Sequence, residues 1–147
     1  MNKLKKIIVV SVWLIASNLC FATLGQNIQS INVDSSNLNA TMQSYDHGTY
    51  KIYVLTTANE DDDAQWSVRE YIDPNNDVVF GVAWNGISTD AADMILGGYL
   101  QQAEDLYDNH EQQNMFDYNV HGDGQDYNGY FVLLPVLPMT VNPSVVR

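Results

Sequence analysis

Cysteine and basic residues are both scarce in this 147-residue chain, and each scarcity excludes a class of protein. The single cysteine, Cys20, lies within the first 22 residues, so the remainder has neither a disulfide nor a thiol nucleophile. Six residues are Lys or Arg, against eighteen Asp and Glu. Such an acidic chain repels phosphate backbones and anionic lipid heads, so we expect no binding to nucleic acid or to a membrane surface.

The one long apolar run stands at the start of the chain and is too short to span a bilayer comfortably, which takes about 20 apolar residues. Three lysines precede residues 7–16, and Cys20 and Ala22 occupy the −3 and −1 positions of a cut before Thr23. This order is typical of a secretory signal peptide. We therefore predict cleavage between Ala22 and Thr23 and an exported protein, periplasmic or secreted, with no membrane span after processing. An uncleaved anchor and lipidation of Cys20 are the alternatives.

The remaining chain is long enough for a single domain. It keeps three basic residues, Lys51, Arg69 and Arg147, against all eighteen acids, which gives a net charge of −15. Residues 23–48 are polar and match neither a helical nor an alternating pattern, so we predict a partly ordered N-terminal arm. Residues 49–147 carry the recognisable patterns and form the predicted domain.

Alternation of apolar residues predicts a β-hairpin over residues 66–84. Two runs rich in β-branched and aromatic residues flank the turn sequence Asp73-Pro74-Asn75-Asn76-Asp77. In the second arm, strict alternation places Phe80, Val82 and Trp84 on a bulky face, and Gly81 and Ala83 on a slim face. We expect a helix to pack closely against the slim face. Further strands are predicted over 49–57, 115–121 and 127–134.

Apolar residues recur at helical spacing across residues 90–107. The stripe consists of Ala92, Ile95, Leu96, Tyr99, Ala103 and Leu106. Gly97-Gly98 interrupts it, which indicates either close packing on the sheet or a break, and we predict one helix. The predicted fold is therefore α+β, a single small domain with a mostly antiparallel sheet of about five strands and one amphipathic helix on a face.

Several motifs resemble those of the Domain of Unknown Function 2844 family. They are Val68-Arg69-Glu70-Tyr71, Val79-Phe80-Gly81-Val82-Ala83-Trp84 with Gly86, Leu96-Gly97-Gly98-Tyr99, Leu24-Gly25, Gly129, Leu134-Pro135 and Leu137-Pro138. Ile87 departs from the family pattern, in which Pro commonly follows the Gly, and Glu60 to Asp63 lengthen the first hairpin. The resemblance implies small exported bacterial proteins with a signal peptide, and it implies no activity, cofactor or catalytic residue.

Glu70 is the acid that stands out, because alternation puts it on the same face as Val68 and Ile72. A carboxyl group on an apolar face can act as a general acid with a raised pKa. The structural interpretation, a cross-strand partner for Lys51 or an exposed edge position, is the one we favour. The three histidines, His47, His110 and His121, have no spacing that suits a catalytic triad or a zinc site.

A calcium site is the remaining candidate. Asp123, Asp126 and Asn128 cluster at a predicted turn and offer the oxygen ligands that calcium prefers. The sequence otherwise predicts no catalytic or cofactor-binding residue and no cofactor. We expect a non-catalytic module that binds a protein or envelope partner through an exposed part of its sheet or an acidic loop. The alternatives are a carboxylate-based hydrolase or isomerase and a calcium-dependent structural protein of the envelope or secreted matrix.

Overall fold

The computed structural model describes residues 23–57, 65–108, 115–124 and 126–147. The predictions for the signal peptide, for the acidic connection at 58–64 and for His110 lie outside the described residues. None of the described helices is long and apolar enough to cross a membrane.

Six strands and three α-helices make up the described part of the chain. In order they are α1 (Gln29–Asn37), β1 (Ala40–Asp46), β2 (Lys51–Thr57), β3 (Ser67–Asp73), β4 (Val78–Ile87), α2 (Thr89–Leu96), α3 (Tyr99–Asp108), β5 (Phe116–Asp123) and β6 (Asp126–Leu133). All six strands form one antiparallel sheet in the order β1-β2-β3-β4-β6-β5. The α+β class and the antiparallel sheet are confirmed, whereas the expected counts of about five strands and one helix are wrong.

The hairpin of β3 and β4 forms as predicted, around the turn that begins at Asp73. The side chain of Asp73 accepts the Asn75 N–H (2.9 Å), and its carbonyl accepts the Asp77 N–H (2.9 Å). Asp77 has a φ of 58°, a conformation that Asp tolerates better than most residues do. The turn chemistry of the sequence therefore determines this reversal locally.

The prediction of strict alternation along β4 is wrong, because the register between β3 and β4 shifts between Tyr71 and Ile72. The shift moves Phe80 to the face of Tyr71 and Ala83, away from Val82. It also changes what covers each face. The helices pack on the face of Val82, and the segment after β6 packs on the slim face.

The slim face admits the C-terminal segment because Gly81 has no side chain. A Cβ at Gly81 would lie 2.7 Å from Cγ2 of Val146, which is fully buried. The end of the chain is held further along by Arg147, whose guanidinium lies 4.0 Å from the ring centre of Tyr130. The expected helix on this face is therefore replaced by the C-terminal segment, which contains two short 3₁₀ helices, Leu134–Val136 and Pro143–Val145.

The predicted single helix is two helices, with the break at Gly97-Gly98. Gly97 has a φ of 58°, and its N–H bonds the Asp93 carbonyl (2.7 Å), which ends α2. Only glycine adopts this conformation at little cost, so the first glycine acts as a helix stop. Ser88 caps the other end of α2 by accepting the Ala91 N–H (3.1 Å).

The segment 23–48 contributes α1 and β1 to the fold, which accounts for the second additional helix and for the additional strand. Its first residues run along the start of β4, where Gly25 N–H bonds Val79 O (2.8 Å) and Ile28 N–H bonds Asp77 O (2.8 Å). Ile31 and Asp34 are the buried residues of α1. Asp34 thus occupies a position of the helix that would ordinarily be apolar.

Candidate functional site

Two acidic side chains are buried where α1 meets the sheet. Glu70 on β3 is 0 % exposed and Asp34 on α1 is 1 % exposed. The hydroxyl of Thr23, also fully buried, donates a hydrogen bond to Oδ2 of Asp34. The carboxyl groups of Glu70 and Asp34 are within hydrogen-bonding reach of each other, and neither oxygen of Glu70 has another hydrogen-bond partner within the described ranges. We call Thr23, Asp34 and Glu70 the buried acid cluster.

Burial dominates the electrostatics of the cluster, because a carboxylate loses its hydration there. It raises the pKa of Asp34 from 3.8 to about 7, an effect that the neighbouring Glu70 carboxyl partly offsets. Burial also raises the pKa of Glu70 well above 4.5, and the Asp34 carboxyl raises it further. Glu70 is therefore the carboxyl group that keeps its proton to the higher pH.

No cationic side chain of the described residues lies against the cluster. Lys51 is on the same face of the sheet, but it is opposite Ile72 in the register, and its Nζ lies 3.9 Å from Oδ2 of Asp46. Arg69 points to the opposite face from its neighbour Glu70. Arg147 lies on the ring of Tyr130. The expected pairing of Glu70 with Lys51 is therefore wrong, since the residue opposite Glu70 on β2 is Tyr53.

The buried acid cluster is closed to substrates in this conformation. A groove of about 440 Å³ lies along α2 and α3, and another of about 480 Å³ lies between α2 and the end of α1. Neither groove is lined by Asp34 or Glu70. The two acids can therefore share a proton with each other, but they do not line either of these two grooves.

The three calcium candidates lie at the turn between β5 and β6. Asp123 and Asp126 are opposite each other in the register. Asn128 bridges the turn to β4, because its amide donates to Oδ1 of Asp126 (3.0 Å) and its oxygen accepts the Gly86 N–H (2.9 Å). Within the described residues, no three His, Cys, Asp or Glu side chains gather as metal ligands.

An open sheet edge is the other notable feature, because β1 ends the strand order. The His47 N–H bonds the Tyr50 carbonyl (3.0 Å), so the hydrogen-bonded pairs of β1 and β2 fall at odd-numbered residues of β1. The carbonyl of Ala40 accordingly points outward, where it accepts from the Ser35 hydroxyl (3.1 Å). By the same alternation, the backbone groups that face the free edge belong to Met42, Ser44 and Asp46.

The side chains of β1 are exposed on both faces from Thr41 to Asp46. Met42 is 40 % exposed and Tyr45 is 50 % exposed. The strand has no lysine, no proline and a single charge, at its last residue. Lysine, proline and several charges are features by which natural proteins protect an open edge, so β1 lacks these protections within the described residues. The opposite edge strand, β5, carries Asp117 and Asp123.

Comparison with known proteins places the chain in one family. The family model described as Protein of unknown function (DUF2844) matches residues 20–145, which includes every described strand and helix. The chain belongs to the DUF2844 family. The resemblance stated from the sequence is thereby confirmed. This DUF2844 chain matches no curated protein and no solved structure.

Sequence reasoning found one acid of the DUF2844 domain's buried cluster and missed the other. Glu70 stood out because it occupies an apolar position of a strand. Asp34 occupies the equivalent kind of position in α1, between the buried Ile31 and the half-buried Leu38. Positions 31, 34 and 38 have helical spacing, so an apolar residue at position 34 would have made the helix recognisable from the sequence.

Proposed function

We propose that this protein is a non-catalytic binding module, exported to the periplasm or cell envelope. In this proposal it binds an extended segment of a partner protein by adding that segment to the edge of its sheet at β1. Strand addition of this kind draws its affinity from backbone hydrogen bonds and its specificity from alternate side chains.

The open edge of β1 is the observation that carries the proposal. Met42, Ser44 and Asp46 present a repeat of outward N–H and C=O groups without a strand to receive them in the described part of the chain. Met42 and Tyr45 add exposed apolar surface on opposite faces. A partner strand would therefore find both the hydrogen-bonding groups and a side chain to contact on each face.

The charge of the protein indicates the chemistry of the partner. With eighteen acids and three basic residues after the predicted cleavage site, two copies of the chain repel each other, whereas a basic or uncharged segment does not. We therefore assign the edge to an uncharged or basic extended segment of an envelope protein, rather than to a second copy.

The alternative of a carboxylate-based hydrolase or isomerase has less support. Such an enzyme needs at least one of its acids within reach of a substrate. Asp34 and Glu70 are buried, and neither lines one of the two grooves described above. Catalysis by this pair would require α1 to leave the sheet.

Replacing Ser44 by Pro tests the proposal, with Ser44→Ala as the matched control. Because the Ser44 N–H faces outward, proline removes an edge donor without removing a hydrogen bond between β1 and β2. The protein beginning at Thr23 is used to isolate partners from its own envelope fraction, and the isolated partner is then titrated against each variant. We expect Ser44→Pro to weaken binding at least about tenfold and Ser44→Ala to leave it unchanged.

Hydrogen exchange supplies the second readout of the same experiment. In the complex, the amides of Met42 and Asp46 should become protected from exchange. Equal affinity of wild type and Ser44→Pro, or unprotected amides in the complex, would overturn the assignment of β1. Protection that arises in the purified protein alone, together with a dimeric mass, would show that the edge binds a second copy and would contradict the envelope partner.

A further inference from the structure

The first described residues are fixed to the domain by backbone hydrogen bonds. The Thr23 N–H bonds the Ile95 carbonyl of α2 (3.0 Å), and Val79 N–H bonds the carbonyl of Gln26 (2.9 Å). Thr23 and Leu24 are both fully buried. The residue that follows the predicted cleavage site is therefore part of the folded core.

Among the residues that the structure describes, no cation faces the buried acid cluster. Asp34 and Glu70 share a space without a cation, and all three basic side chains after residue 22 lie elsewhere. Among the described histidines, His47 stacks on Tyr50 and His121 is exposed on β5. A buried carboxylate needs a partner charge or a proton, because isolating it in an apolar environment costs several kcal/mol.

We propose that removal of the signal peptide creates the missing cation, the α-ammonium group of Thr23, which forms a buried ion pair with Asp34. Hydrolysis adds one water across the Ala22–Thr23 bond. The new carboxylate leaves with the signal peptide, and the new amine stays on Thr23 and takes a proton. This inference rests on the export part of the proposed function, and not on the binding edge.

The position of the Thr23 nitrogen supports the ion pair. The Thr23 hydroxyl already bonds Asp34, and the nitrogen is only two carbon atoms away from that oxygen. A charge on the nitrogen therefore acts on Asp34 at short range and in a medium that screens poorly. The Ile95 carbonyl accepts one of the three N–H groups of the ammonium, which leaves two for the acids.

The charges of the processed cluster then balance. The groups that face one another are the Thr23 amine, Asp34 from α1 and Glu70 from β3, with Tyr53 opposite Glu70 on β2. One ammonium, one carboxylate on Asp34 and one protonated carboxyl on Glu70 sum to zero. Processing thereby converts two acids without a counter-ion into a neutral, hydrogen-bonded unit and stabilises the fold once the leader is gone.

The test compares three forms of the purified chain that differ only at the N-terminus. One begins at Thr23 with a free amine, one carries a single additional Gly before Thr23, and one begins at an acetylated Thr23. Urea unfolding at pH 7 gives the unfolding equilibrium constant of each form. We expect the free amine to lower that constant by about tenfold or more relative to the other two forms, as breaking a buried pair implies.

Asp34→Asn and Asp90→Asn separate an ion pair from a general effect of the N-terminus. The advantage of the free amine should disappear in Asp34→Asn and persist in Asp90→Asn, since Asp90 is exposed. Equal stability of all three forms, or an advantage that survives in Asp34→Asn, would overturn the ion pair. If Asp34→Asn does not fold, equal stability of the acetylated and free forms would still overturn the ion pair.

The intact mass of the protein recovered from its envelope tests the export premise separately. A mass that corresponds to a chain beginning at Thr23 supports the premise. A different N-terminus would overturn cleavage at this site in the cell, while the comparison of purified forms would still measure the ion pair.

Discussion

Replacing Glu70 by Gln should remove a pH dependence from the stability of the domain. Glu70 is fully buried on an apolar face of β3, and burial raises its pKa well above 4.5, so the folded protein keeps this carboxyl protonated to a higher pH than the unfolded chain does. Gln has the shape of a protonated Glu and stays neutral at every pH. The substitution therefore preserves the packing and eliminates only the titration.

The sign and size of the effect follow from the difference between the folded and unfolded states. A carboxyl whose folded pKa is raised contributes stability that is complete below its unfolded pKa and is lost as the pH rises towards the folded value. While the unfolded chain has released the proton and the folded chain has not, the free energy of unfolding falls by about 1.4 kcal/mol per pH unit. Wild type therefore loses stability as the pH rises above the unfolded pKa of Glu70.

Urea unfolding at pH 5, 6 and 7 measures this difference on the chain beginning at Thr23. We expect wild type and Glu70→Gln to have similar stability at pH 5, and we expect the variant to become increasingly the more stable of the two as the pH rises to 7. Glu104→Gln, an exposed position on α3, is the control and should follow wild type. Parallel curves for wild type and Glu70→Gln over this range would refute the reasoning, because they would mean that Glu70 is ionised in the folded protein.

The remaining predictions concern packing, capping and calcium. Gly81→Ala should cost roughly 1–3 kcal/mol of stability in thermal unfolding, because the new Cβ would lie 2.7 Å from Val146. Gly98→Ala is the control and should cost nothing, because the nearest atom to its Cβ is a side-chain atom 3.7 Å away. Equal effects would contradict the close approach of the tail. Ser88→Ala should cost about 1 kcal/mol, since it removes the cap of α2, and an unchanged melting temperature would contradict the cap. Millimolar calcium should not raise the melting temperature, because the Asn128 side-chain oxygen already accepts the Gly86 N–H. A clear rise would support the calcium hypothesis.

The hairpin and the stripe of α2 and α3 were predictable because their signals are local. The turn residues around Asp73 and the helical spacing of Ala92, Ile95 and Leu96 act within a few residues of each other. The stop at Gly97 is local too, and the sequence presented it as one of two interpretations. Whether the helix breaks at this glycine pair or continues depends on how the residues after Gly98 pack against the sheet.

The register shift opposite Tyr71 was not predictable from alternation, because a bulge changes which residues share a face without changing the composition of the strand. The edge strand β1 was missed for a different reason. A strand exposed on both faces needs no apolar residues, so its sequence carries no period-two signal. Pairing with β2, rather than its own pattern, makes it a strand.

The sequence by itself determined the properties that depend on composition or on short-range patterns, namely an acidic chain, an antiparallel hairpin and a glycine pair within a helical stripe. The tertiary structure alone decided that Asp34 and Glu70 meet, 36 positions apart in the chain, beside the hydroxyl of Thr23. In the sequence, Asp34 interrupts the apolar pattern of α1 and Glu70 interrupts that of β3, so each acid weakens the prediction of the helix or strand that contains it. Packing α1 on β3 brings the two interruptions together, because a buried carboxyl is tolerated only where another group shares its proton or balances its charge.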